Sequence, residues 1–324
     1  MPEPQTRHVR ARACAEQFPR EHKIRIAPLK IGNHALAFLF ANVVARIIQG
    51  PTEIATKGIV ELGLEPRNLD FFEANYHHED ISSDYPWPTP KSITEILRER
   101  TLSKLSGPSR QEKQREGDDG VKYARFSIAT NVPNIYPIRS YSIRNNLLLD
   151  ISGSICNVGY LPSLCEARDL LPGIEALREH AANIHNEIGR DTLWVHIRAG
   201  DILDGHNRLY KPLTHDCIHA AAATLNRDVV FIGQLEDSSY VSSLKQEFAN
   251  ARFFHTESAG LDFEIMRQSR YLLLSTSTFA WLAGWLSTEA QIIFVPRSGL
   301  YNPEEAPEIN LIDCSDKRFH FIGS

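Results

Sequence analysis

A chain of 324 residues, 42% hydrophobic and 23% charged, has the composition of an ordinary globular protein and the length for two domains. Its 35 lysines and arginines against 40 aspartates and glutamates leave a net charge of −5, which argues against a broad nucleic-acid or anionic-membrane surface, so any phosphate site must be local. The cysteines (Cys14, Cys156, Cys165, Cys217, Cys314) show no CxxC or Cys/His ligand spacing, so neither a zinc site nor a disulfide framework is indicated. A reducing compartment is the simpler reading, with a loop disulfide between Cys156 and Cys165 left open.

No stretch approaches the ~18 uninterrupted apolar residues of a membrane span. The longest candidate, residues 35–48, carries Asn42 and Arg46. The first residues hold arginines with no apolar run behind them, which is not a secretory signal, and Glu3, Glu16 and Glu21 count against a transit peptide. Residues 1–22 read as a disordered or loosely attached tail, and the expected location is cytoplasmic.

In chain order, residues 24–27 form a short β-type run, a turn contains Gly32, Asn33 and His34, and residues 35–48 carry apolar side chains at helical spacing. Such a turn can aim backbone N–H groups at a ligand; equally it is an ordinary helix start with Asn33 as cap. Residues 58–62 and 69–73 suit strands. Residues 76–90 are a loop with three prolines, in which adjacent His77, His78, Glu79 and Asp80 point apart and lack a partner cluster, so an exposed loop is favoured over a metal site. Residues 92–100 suit a helix, and 104–119 are polar without periodicity. Residues 123–130 and 146–151 are predicted strands, and 174–188 an amphipathic helix stopped by Gly189. The domain boundary is placed there, giving an N-terminal α/β domain over 23–189 and a C-terminal Rossmann-type domain over 190–324.

From residue 191 strands and helices alternate. Strands are predicted at 193–198, 229–233, 252–255, 271–274 and 291–295, and helices at 214–226, 238–248, 262–269 and 278–286. The pattern argues for an open parallel sheet with helices on both faces, whose ligands sit beyond the carboxyl ends of the strands. Three polar turns fall on that edge. One is His196-Ile197-Arg198-Ala199-Gly200-Asp201, another follows Gly233 with Gln234, and the third is Ser275-Thr276-Ser277-Thr278 before the aromatic run Phe279-Ala280-Trp281. Arg198 is a permanent forked cation suited to an anionic ligand, and the third turn opens a helix, where N–H groups and the helix dipole favour anions. Together they read as a metal-free diphosphate clamp, the device glycosyl transfer needs as charge builds on the departing diphosphate. The third turn by itself could be a simple N-cap on a buried helix.

His196-Ile197-Arg198-Ala199-Gly200-Asp201 resembles the HxRRxD motif of the α-1,2-, α-1,6- and protein O-fucosyltransferase superfamily. Three further blocks resemble the α-1,2 branch, glycosyltransferase family 11. Gly32-Asn33-His34 is similar to its Gly-Asn-Gln-Met-Phe block, Asp262-Phe263-Glu264-Ile265-Met266 to its Asp-Phe-x-Leu-Met segment, and Ser275 to Trp281 to its Ser-Asn-Ser-Thr-Phe-Ser-Trp-Trp block. The resemblance covers roughly residues 23–297. It implies an α/β, GT-B-like enzyme of two Rossmann-type domains facing a cleft, inverting, using GDP-fucose on a glycan or glycoconjugate hydroxyl, with no metal and no cofactor beyond the donor. It also implies that Arg198 contacts the diphosphate, that Ser277, Thr278 and Phe279 line the donor site, and that His196 and Asp201 shape the loop. The catalytic set is therefore Arg198, His196 and Asp201, and the substrate-binding set Gly32, Asn33, His34, Gly200, Gln234, Ser275, Thr276, Ser277, Thr278 and Phe279. Departures are Ala199 for the second arginine, His34 for Gln, Thr276 for Asn, Ala280 for Ser and Leu282 for the second Trp. Ala199 opens two alternatives: a different nucleotide-sugar donor, or a relative that binds nucleotide or glycan without turnover. The general base is open among Asp201, Glu73, His34 and none.

Overall fold

The computed structural model describes residues 22–66, 115–116, 122–128, 146–151 and 153–323, apart from positions 28, 49, 50, 154, 201, 204, 206, 207 and 257. The predictions for the tail up to residue 21, for residues 69–73 and 92–100, and for the loop at 76–90 lie outside the described residues, as does Asp201. His22, assigned to the tail, is instead the buried first residue of a strand, paired on both sides.

Among the described residues there are two sheets. The first holds β1 (His22–Ile26), β2 (Thr52–Ala55), β3 (Arg115–Glu116), β4 (Lys122–Ile128) and β5 (Asn146–Ile151) in the order β2-β1-β5-β4-β3. Strand β1 pairs in parallel with β2 and β5, β4 pairs in parallel with β5, and β3 runs antiparallel to β4. Helix α1 (Ile31–Ile47) makes the crossover that the parallel β1/β2 pair requires. It starts at Ile31, so Gly32, Asn33 and His34 are its first turn and not a loop before it. The cap position is Lys30, without a side-chain cap, so Asn33 is not the N-cap. The strand expected at 58–62 is instead a 3₁₀ turn over Val60–Leu62. Here Ile59 and Leu64 exchange backbone hydrogen bonds of 2.7 and 3.1 Å, and the segment folds back to bury Ile59, Leu62 and Leu64.

Helix α2 (Leu164–Leu170), absent from the sequence reading, begins with a capping box in which Ser163 and Glu166 satisfy each other's backbone N–H. Helix α3 (Glu175–Ile188) follows and ends before Gly189. Cys156 is buried and Cys165 exposed, and no disulfide joins them.

The second sheet contains β6 (Leu193–Ile197), β7 (Val229–Gly233), β8 (Arg252–Phe253), β9 (Tyr271–Leu273), β10 (Ile292–Pro296) and β11 (Phe319–Ile322), with helices α4 (His215–Leu225), α5 (Ser239–Glu247), α6 (Ala259–Arg267) and α7 (Thr278–Leu286) in the intervening chain. All its pairings are parallel, as expected, and β11 is a strand the sequence reading missed. The order is β8-β7-β6-β9-β10-β11: the chain winds outward from β6 to β8, then returns to the other side of β6 and winds away again. This is the 3-2-1-4-5-6 order of doubly wound sheets, and the reversal leaves a crevice outside the carboxyl ends of β6 and β9.

Strand β6 is buried along its whole length, as in a sheet covered on both faces. Side chains alternate between faces with a period of two. Leu193, Val195 and Ile197 join the apolar cluster containing Ile218, Phe231 and Val241. Trp194 belongs to the opposite cluster, which runs from Ile24 and Phe38 through Trp281 and Leu282 to Leu272 and Ile293, so the two sheets share one core. The same alternation sends His196 and Arg198 to the α7 side. Helix α7 is buried nearly all round and packs against α1, α2 and α6. No described helix is long and apolar enough to cross a membrane.

Candidate functional site

The β6/β9 crevice brings together two of the three polar turns. Arg198, the first residue past β6, donates a hydrogen bond from Nη1 to the Ser277 hydroxyl at 3.3 Å, and its guanidinium carbon lies 4.8 Å from the Tyr210 ring centroid. Ser277 is the N-cap of α7, its hydroxyl accepting from the Phe279 N–H at 3.2 Å. A side-chain cap takes only some of the first-turn N–H groups that a helix leaves without internal partners. Arg198 thus sits beside a helix N-terminus at the strand-order reversal, and the helix dipole adds a favourable field for an anion of roughly 0.3–1 kcal/mol.

The hydroxyls of the Ser275–Thr278 run are all buried, and each has an internal partner. Ser275 Oγ shares a 2.7 Å hydrogen bond with His196 Nδ1. Thr276 Oγ1 accepts from the Lys211 N–H at 2.8 Å and donates to the Lys211 carbonyl at 2.5 Å. Thr278 Oγ1 donates to Asn33 Oδ1 at 2.9 Å. Beneath them, the buried Tyr301 hydroxyl donates to the Ser277 carbonyl at 2.8 Å. Buried hydroxyls need such partners, and here the partners shape the turn.

The Thr278–Asn33 bond carries the first turn of α1 to the start of α7. Gly32 lies against the same point: a Cβ there would be 2.5 Å from the Phe279 backbone nitrogen, closer than real carbons approach. Glycine is what allows the backbones to meet. His34 is buried on another side of α1, its Nε2 2.7 Å from Thr56 Oγ1. At the second strand, Gln234 Oε1 accepts the Ala199 and Gly200 N–H groups at 3.0 and 2.9 Å, and Gln234 N–H bonds the Ile197 carbonyl at 2.9 Å. Gln234 therefore braces the turn after Arg198. The Phe279 ring packs 5.9 Å from His196 and 5.5 Å from Phe263. Ala199 is buried in the second apolar cluster, so the position of the motif's second arginine is occupied by packing.

Burial, with a smaller contribution from the Arg198 charge, pushes the His196 pKa down to about 3. His196 is therefore neutral at physiological pH, suited to hydrogen bonding Ser275 and unsuited to carrying charge. His34 and His185 are lowered by burial as well. The unfolded chain takes up these protons below the ordinary histidine value near 6.5 while the folded chain refuses them. The His196 contribution to stability is thus fully present above about 6.5 and is lost as pH falls toward about 3. Denaturant midpoints should decline over that window, and less steeply in His196→Asn. Equal slopes would place the His196 titration elsewhere.

Asp262, in the first turn of α6, accepts a hydrogen bond from the Thr256 hydroxyl, and burial raises its carboxyl to about 6. Sequence reasoning missed the roles of Tyr210 and Tyr301. Both come from irregular or 3₁₀ segments whose periodicity gives no signal, and only the fold sets them against Arg198 and Ser277.

No family model matches the sequence, and no curated protein does. Among solved structures, a variant of FUT1 from Arabidopsis thaliana in complex with GDP is 9% identical over 86% of this chain and 70% of that one, with a TM-score of 0.49. POFUT1 in complex with GDP is 9% identical over 86% of this chain and 98% of that one, TM-score 0.44. The fucosyltransferase NodZ from Bradyrhizobium is 13% identical over 85% and 94%, TM-score 0.43. At TM-scores below 0.5, nothing about activity passes from these proteins to this chain.

Proposed function

We propose that this protein is a glycosyltransferase of GT-B-like, two-domain build that moves a sugar from a nucleotide donor to a hydroxyl of a glycan or glycoconjugate. The donor is GDP-fucose, transfer proceeds with inversion, and no metal takes part. One observation carries the reading: Arg198 and the N-terminus of α7 converge on the crevice where the strand order of the second sheet reverses. A guanidinium can bond two oxygens of a diphosphate in parallel, and first-turn N–H groups suit the same group. Both are held in place before the ligand arrives, Arg198 by Ser277 and Tyr210, α7 by Asn33 and Tyr301. As the glycosidic bond breaks, negative charge grows on the leaving diphosphate, and fixed donors aimed at it lower the barrier.

In this reading residues 190–324 bind the nucleotide and residues 23–189 present the acceptor, with Gly32 and Asn33 closing the donor site from the acceptor side. His196 and Gln234 hold the Arg198 turn. The base is Asp201, Glu73 or His34, the last already bonded to Thr56, or the departing diphosphate drives transfer with no base at all. A cytoplasmic enzyme making a surface-polysaccharide precursor suits the whole. The buried Ala199 motivates a second reading, in which the chain takes another nucleotide sugar or binds without turnover.

Calorimetry and hydrolysis assays with GDP and GDP-fucose in EDTA separate these. The expected result is GDP binding together with slow GDP-fucose hydrolysis, both unaffected by EDTA. GDP binding without hydrolysis or transfer would favour the non-catalytic relative. Loss of activity in EDTA would overturn the metal-free clamp and redirect attention to His77, His78, Glu79 and Asp80.

A further inference from the structure

The segment 209–211, which follows the Arg198 turn in the chain, is tied down on both sides of Tyr210. On one side the Leu209 carbonyl accepts the Leu300 N–H at 2.8 Å. It lies so close to Gly299 that a Cβ there would be 2.2 Å from the Leu209 oxygen, and Gly299 has φ +56°, where side chains are disfavoured. On the other side, Lys211 gives both its N–H and its carbonyl to Thr276 Oγ1, at 2.8 and 2.5 Å. The Lys211 side chain adds a 2.5 Å ion pair to Glu305. With both neighbours anchored, the Tyr210 backbone is fixed in place, and its ring faces the Arg198 guanidinium at 4.8 Å.

We infer that Tyr210 is a positioning residue for Arg198: its ring fixes the guanidinium plane so that a single cation, with Ala199 beside it, presents its donors correctly to the donor diphosphate. This rests on the functional reading above. The physical need is clear in the contacts. The Arg198–Ser277 hydrogen bond, at 3.3 Å, is long for N–H···O. Misplacement of a catalytic group by about 1 Å can cost on the order of 10²-fold in rate, so the orientation of the guanidinium matters as much as its presence. A planar aromatic face restricts a planar cation, an interaction that lysine cannot reproduce in the same geometry. The inference also gives Thr276 a role. In place of a ligand contact, its hydroxyl moors the strap that carries Tyr210.

The test is a double-mutant cycle between Tyr210→Leu and Arg198→Lys, followed by GDP-fucose hydrolysis, with Tyr210→Phe as the conservative variant. Tyr210→Leu should lower kcat roughly tenfold while changing the KM for GDP-fucose less, because the guanidinium acts mainly on charge that develops in the transition state. Tyr210→Phe should retain activity, since it keeps the ring. In the Arg198→Lys background the Tyr210→Leu effect should shrink toward none, whereas a merely structural role would give the same loss in both backgrounds. Equal effects in the two backgrounds, or a loss in Tyr210→Phe as large as in Tyr210→Leu, would overturn the inference. A second measurement is independent of turnover. The Arg198 side-chain Nε–Hε resonance should carry a ring-current shift that is kept in Tyr210→Phe and lost in Tyr210→Leu. Absence of that shift in the wild type would also overturn the inference. Failure of wild-type protein to bind GDP would sink the functional reading while the resonance still decides the positioning.

Discussion

Replacing Arg198 by alanine is expected to lower sugar transfer, and GDP-fucose hydrolysis with it, by at least ~10²–10³-fold while leaving the fold intact. Two magnitudes separate these effects. The side chain is half-buried, and its long bond to Ser277 contributes about 1 kcal/mol to stability. Ser277 keeps its capping bond to Phe279 without it. The transition-state loss is larger, because no second guanidinium stands at Ala199 to take over. Rate assays beside thermal or denaturant unfolding check both halves of the prediction. Unchanged turnover in the folded variant would remove the central residue from the mechanism.

The second large effect is at Gly32. Substituting alanine raises helix propensity by about 1 kcal/mol in favour of folding. Against this, the new Cβ would lie 2.5 Å from the Phe279 nitrogen, 2.7 Å from Thr278 Oγ1 and 2.8 Å from the Phe279 Cα. Two of those atoms are backbone and cannot rotate aside, so overpacking of about 1–3 kcal/mol outweighs the propensity gain. The strain falls where α1 meets α7, and displacement of the α7 start should lower activity about 10²-fold even where the protein still folds. Gly284 within α7 provides the control. A Cβ there would make ordinary contacts of 3.4–3.5 Å, so Gly284→Ala should be neutral or slightly stabilising. If Gly32→Ala matched Gly284→Ala in stability and activity, the close approach of the two helices would be wrong.

Much of the second sheet was legible because parallel strands buried on both faces write their positions as apolar runs. The strand at Val229–Gly233 and the helix at Thr278–Leu286 have the predicted bounds. Thr214 and Asn226 sit at the two ends of α4 as cap and left-handed stop. Strand β11 was missed because its run of four residues is short, follows a polar stretch and has no buried position, and only pairing with β10 reveals it. Helix α2 was legible but unread, since Ser163 followed by Glu166 is a capping-box signature. The early start of α1 was not legible. Gly32 and Asn33 are poor helix formers, and their place in the first turn follows from contact with Phe279 and Thr278, far along the chain.

The same division holds at the site. A period of two in β6 puts Trp194, His196 and Arg198 on one face, and the turn chemistry at Ser277 marks a helix start. Both are sequence properties. That the two ends adjoin depends on the chain returning beside β6 after β8, which strand-helix alternation alone does not fix. Nor does it reveal that the hydroxyls of Ser275, Thr276 and Thr278 are bonded within the protein. With those hydroxyls bonded internally, the proposed clamp relies on the Arg198 guanidinium and the backbone N–H groups of the first turn of α7.

The most direct measurement is an experimental structure with GDP bound. The diphosphate should lie at the β6/β9 reversal, within hydrogen-bonding distance of the Arg198 guanidinium and facing the first turn of α7. Nucleotide found instead in the roughly 520 Å³ pocket lined by Val158, Trp285, Asp313 and Arg318, at the far end of that helix, would contradict the clamp.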